Sequence, residues 1–102
     1  MAFVPVAKAA DIPVGKAAHV EAGSLALAVF NLGAGRFRAV TALCPHEDGP
    51  LAEGWVEGGG VVCPWHGYDF ELATGRCNVD DNLSIGVFAT RVVDGSVEVE
   101  IP

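Results

Sequence analysis

Short stretches of alternating apolar and polar residues run along most of the chain, with turn residues between them. Ser24 to Asn31 places Leu25, Leu27 and Val29 on one face at period two, the pattern of a half-buried strand. Ala17 to Glu21 precedes it and Arg36 to Leu43 follows, with Gly33-Ala34-Gly35 predicting a hairpin between the last two. Phe3-Val4-Pro5-Val6 predicts a short strand, and its proline predicts a sheet edge. Asp11 to Gly15 reads as a turn. Near the other end, Ile85 to Val93 and Ser96 to Ile101 are joined by Asp94-Gly95, a strong two-residue hairpin signal. Between these regions the periodicity fades. Cys44 to Asp81 is rich in Gly, Pro and acids, and only Val61-Val62 and Tyr68 to Leu72 read as strands. The prediction is an all-β fold: a small antiparallel β-sandwich or barrel, one domain over residues 1–102, with a loop-rich subdomain inserted at about 44–82.

Composition agrees. Thirteen glycines and six prolines in 102 residues favour short strands and many turns. The formal charge of −7 is uneven: Cys44 to Asn82 holds eight acids and one base, while the rest holds five of each. That balance argues against nucleic acid or an anionic membrane and favours a basic protein partner. The longest purely apolar run, Leu25 to Phe30, falls far short of the roughly 20 residues of a spanning helix. Met1 to Ala10 lacks the layout of a signal peptide, so a cytoplasmic location is expected. Three cysteines are too few and too odd in number for a disulfide framework.

Chemistry concentrates in two loops of the insertion. Cys44-Pro45-His46 is followed, after sixteen residues, by Cys63-Pro64-Trp65-His66. Two thiols and two imidazoles in paired loops make a metal site. Zinc takes such a set tetrahedrally; a [2Fe–2S] cluster takes it with two Cys on one iron and two His on the other. Usual zinc patterns pair Cys with Cys and His with His. Here each loop supplies one of each, which suits a two-iron centre better, although spacing alone leaves zinc open.

The residues around the ligands go further. Cys44-Pro45-His46-Glu47-Asp48-Gly49-Pro50-Leu51, Cys63-Pro64-Trp65-His66-Gly67-Tyr68-Asp69-Phe70 and Ala73-Thr74-Gly75 resemble the Rieske [2Fe–2S] family. The resemblance is most specific over residues 44–77, and in length and strand order the chain looks like a soluble Rieske ferredoxin. It implies that Cys44 and Cys63 bind the inner iron and His46 and His66 the outer, more exposed one. High-potential members carry an extra Cys in each loop, forming a disulfide across the cluster; here those places hold Gly49 and Trp65. Those members also donate hydroxyl hydrogen bonds to the sulfurs, and the matching positions here are Tyr68 and Phe70. Pro45 and Pro64 supply no backbone N–H. Few donors beside a strongly negative insertion predict a potential near the low end of the Rieske range, about −150 mV.

The resemblance implies a one-electron carrier that takes electrons from a reductase and passes them to a terminal oxygenase or another redox acceptor. Only His19 remains outside the motif, too little for a mononuclear oxygenase iron, so no substrate chemistry of its own is expected. The alternatives are the small Rieske-type subunit of an assimilatory nitrite reductase and a zinc-stabilised interaction module. A monomer is favoured. Trp65 is expected to shield the cluster from water, Tyr68 to lie beside it, Cys77 and Trp55 to be core residues, and His19 to lie on the surface.

Overall fold

A computed structural model of the chain describes residues 2–45, 49–65 and 67–102. Its strands are short and pair antiparallel. β1 (Ala2–Lys8), β11 (Thr90–Val93) and β12 (Ser96–Ile101) form one sheet in the order β1-β12-β11. β2 (Ala17–Ala22), β3 (Leu25–Gly33), β4 (Arg36–Thr41) and β10 (Val87–Phe88) form a second, in the order β10-β4-β3-β2. Together these sheets make the base of the molecule. The insertion carries the ladder β5–β6 (Leu43–Cys44 with Gly49–Pro50), a 3-10 turn at Leu51–Glu53, and a small sheet β7-β8-β9 (Trp55–Glu57, Gly60–Val62, Asp69–Glu71). The expected all-β class with a loop-rich insertion is what forms.

The base is built as its pattern predicts. Leu27 and Val29 of β3 face the first core with Val20, Phe37, Ala39, Val97 and Val99. β1 is an edge strand, paired only with β12, and its register shifts between Pro5 and Ala7, where the ring removes a ladder donor. The Asp94-Gly95 turn has φ of +49° and +79°, as a two-residue hairpin requires. Buried Asn31 donates from Nδ2 to the Ile12 carbonyl at 2.7 Å, and its Oδ1 accepts the Gly33 N–H at 2.8 Å. These bonds pin the 12–16 turn to the end of β3.

β3 has a second buried face. Ala28 and Phe30, with Val40 of β4, pack against Leu51, Val61, Phe70 and Leu72 of the insertion, and Ile85 just after it, in a second core. An unbroken apolar run, Leu25 to Phe30, is what a strand buried on both sides needs. The return from the insertion is tight. A side-chain carbon at Gly75, which has φ +81°, would collide with the Ile85 carbonyl oxygen, so only glycine fits there.

Three expectations need correction. The stretch from Ile85 to Val93 is not one strand: β10 pairs with β4 and β11 with β12, so the chain changes sheets at Ala89. β6 and β7 form where no strand is predicted, and the expected strand from Arg36 to Leu43 breaks at Ala42 into β4 and β5; strands of two or three residues are too short to show a period. Trp55 is not in the core. It is 47% exposed, because Val56, next to it on β7, takes the inward position.

Candidate metal centre

Two loops meet at one glycine. The first leaves Cys44 at the end of β5 and returns at Gly49, the residue directly opposite Cys44 in the β5–β6 ladder. The second links β8 to β9 and is closed at its base by the Cys63 N–H donating to the Tyr68 carbonyl at 2.7 Å. A side-chain carbon placed on Gly49 would lie 2.6 Å from Cys63 Sγ, well inside contact distance. Gly49 is thus the spacer that lets the Cys63 thiol approach the strand paired with Cys44. Both cysteines are fully buried in the second core.

The Trp65 N–H points back at Cys63 Sγ, 3.4 Å away, a donor that the proline count of the loops does not reveal. The Trp65 ring is 45% exposed and lies against Gly49, its Cβ and Cδ2 each 3.4 Å from where a Gly49 Cβ would be. That spacing is close to the roughly 3.5–4.5 Å between the Cβ atoms of a disulfide. The two positions at which high-potential members place their extra cysteines therefore stand face to face, and here an indole covers a glycine. Tyr68 is half-buried against the second core, and Phe70, which has no hydroxyl, is fully buried. His46 and His66 lie outside the described residues.

Cys77 and His19 fall where expected. Cys77 is a buried residue of the second core, and its Sγ accepts the Asp80 N–H at 3.4 Å. His19 is on the surface, its Nε2 3.5 Å from Glu21 Oε2. Gly49 carries more than the sequence suggests. As a sequence position it reads only as a missing cysteine; its contact with Cys63 appears when the two loops are brought together.

Two buried thiols drawn together across a glycine are soft ligands of the kind an iron–sulfur centre uses. Residues 2–88 match the model of the Rieske [2Fe-2S] domain. The chain belongs to the Rieske [2Fe–2S] family. Its cofactor is a Rieske-type [2Fe–2S] cluster, which the two thiols fit.

Within the Rieske family, the chain is similar to the ferredoxin subunit of anthranilate 1,2-dioxygenase from Burkholderia cepacia, with 39% identity over 82 residues, 78% of this chain and 74% of that protein. It also resembles a solved complex of reduced oxygenase and oxidized ferredoxin in carbazole 1,9a-dioxygenase: TM-score 0.81, 32% identity, 95% of this chain and 91% of that one. A third match, to 4beta-methylsterol monooxygenase of Methylococcus capsulatus, is 47% identical over 51 residues, half of this chain but only 14% of that protein. The shared part there is one module of a much longer chain. The ferredoxin matches run through most of both partners, and the chain is a one-electron carrier of the ferredoxin kind.

Proposed function

We propose that this Rieske protein shuttles single electrons from a reductase to the terminal oxygenase of a ring-hydroxylating dioxygenase, with no substrate chemistry of its own. Cys44 and Cys63 hold one iron, and His46 and His66 the other. The cluster, when bound, stores one electron and releases it. The chain's own residues do the rest. The second core keeps water from the two thiols, Gly49 sets the approach of Cys63 to the Cys44 strand, and Trp65 covers the gap between the loops. The observation that carries the ligand assignment is the closeness of Gly49, the ladder partner of Cys44, to Cys63 Sγ. The choice of partners rests on the names of the ferredoxin relatives.

Residues 1–102 act as a single domain whose insertion, about 44–82, is the working end. The protein works as a cytoplasmic monomer. Among the described residues no helix is long and apolar enough to cross a membrane, which agrees with that reading. The test is iron and acid-labile sulfide analysis of anaerobically purified protein, with electron paramagnetic resonance after dithionite reduction. Equal iron and sulfide and a low average g are expected. Zinc without sulfide under iron-replete expression overturns the ligand assignment. A large subunit that co-purifies stably overturns the free carrier in favour of a reductase subunit.

A further inference from the structure

The insertion's small sheet has an outer face that the cluster does not use. Directly opposed residues of paired strands share a face, and alternate residues return to it. Trp55, Val62 and Asp69 are such a row across β7, β8 and β9, and Glu57, Gly60 and Glu71 are the next. The opposite face carries Val56, Val61 and Phe70 into the second core. The outer face is therefore an indole and a valine bordered by three carboxylates.

A cleft of about 540 Å³ opens on this face, lined by Trp55, Glu57, Gly58, Val62, Gly67 and Asp69. Gly67 belongs to the second ligand loop, so the cleft flanks the metal centre. The indole is held in place: Trp55 Nε1 donates to Glu57 Oε2 at 3.0 Å, yet the ring stays 47% exposed. Asp69 Oδ2 accepts the Asn78 side-chain amide at 2.7 Å. Arg76, on the segment beside β9, is turned to Asp81 with its guanidinium 3.1 Å from Oδ1. Among the described residues the cleft lining holds no base.

An oriented, half-exposed indole beside two carboxylates is a receptor for a cation: the ring face attracts the charge and the carboxylates add to it. The geometry points to the Trp55 cleft as a socket for a lysine or arginine side chain of a basic redox partner, which seats that partner beside the second ligand loop. The inference rests on the electron-carrier reading. It adds a fixed contact to the diffuse attraction expected of the insertion's charge, eight acids against one base.

The test uses the dithionite-reduced holoprotein in stopped flow, with cytochrome c, a lysine-rich redox protein, as oxidant and ferricyanide as the small anionic control. Trp55→Ala is expected to slow oxidation by cytochrome c about three- to tenfold and leave the ferricyanide rate unchanged. Trp55→Phe, which keeps a ring, should fall between. Glu57→Gln keeps a hydrogen-bond acceptor for the indole, removes the charge, and should also slow the cytochrome reaction. Wild-type rates with cytochrome c in both Trp55→Ala and Glu57→Gln overturn the socket. An equal loss with ferricyanide overturns it too, because Trp55 then acts on the cluster. So does a wild-type dimer in sedimentation that Trp55→Ala abolishes, which would mean a second copy covers the face. A wild type whose visible spectrum dithionite leaves unchanged overturns the carrier reading and the socket with it.

Discussion

The two faces of β3 look onto two differently built regions. On one side, the base packs Leu27 and Val29 against aliphatic and aromatic side chains from strands of up to nine residues, and its charges sum to zero. On the other, the insertion packs Ala28 and Phe30 against a core that includes Cys44, Cys63 and Cys77, framed by strands of two or three residues, and carries the whole net charge. A ladder of two or three residues fixes little on its own, and like charges repel. The base is stabilised by its own burial. The insertion needs its ligands joined, since metal binding couples to local folding.

Breaking the ligand set should produce the largest effect. Cys63→Ser is expected to abolish the cluster's visible absorption and to free the amides of β7, β8 and β9 to hydrogen exchange. Those of β3, β4 and β12 should stay protected. Exchange that rises equally in both regions would show one cooperative unit and remove the contrast.

Core truncations separate the regions next. Leu27→Ala in the first core should cost about 2–5 kcal/mol, and Phe70→Ala in the second about 3–5 kcal/mol. Thermal unfolding reads both. Only Phe70→Ala is expected to move the paramagnetic resonance spectrum as well, because Phe70 shares its core with Cys44 and Cys63. A spectrum altered equally by Leu27→Ala would mean that strain crosses β3 freely.

The same contrast decides what could be read from the sequence. The base was legible because its information is local. Leu25, Leu27 and Val29 keep period two, Pro5 marks an edge, and Asp94-Gly95 marks a hairpin. The split at Ala89 was not legible, since local pattern does not say which sheet a strand joins. In the insertion the situation reverses. The family and its cofactor showed in the residues around Cys44 and Cys63, while the architecture stayed hidden. Trp55 shows why: on so short a strand nothing local says which of two neighbouring apolar residues turns inward, and Val56 does. Gly49 is the other case, since its role is a contact between loops far apart in the chain.

Gly49→Ala sharpens that last point. Its new methyl would meet Cys63 Sγ and the Trp65 ring, and overpacking of this kind costs roughly 1–3 kcal/mol. Iron content after dialysis against a chelator should fall below that of the wild type, while the far-ultraviolet dichroism of the base is unchanged. Wild-type iron retention would mean that the loops part easily at this point.

The smallest effects come from one arginine in each region. Arg91 of β11 places Nε 2.7 Å from Glu98 Oε1 on β12, and its guanidinium lies 4.1 Å above the Phe3 ring of β1. One side chain thus ties together all three strands of its sheet, beside a carboxylate that is only 17% exposed. Arg76 makes an ion pair with Asp81 at 3.1 Å, and both side chains are mostly in water. Water and salt screen such a pair, so Arg76→Ala should cost at most about 0.5 kcal/mol. Arg91→Ala loses packing and a ring contact besides the ion pair, and should cost about 1 kcal/mol. Raising salt to about 0.5 M should erase the Arg76 difference and leave most of the Arg91 difference in thermal unfolding. Equal losses that vanish together would reduce Arg91 to a surface charge and leave β1 held to its sheet by backbone bonds and the first core alone.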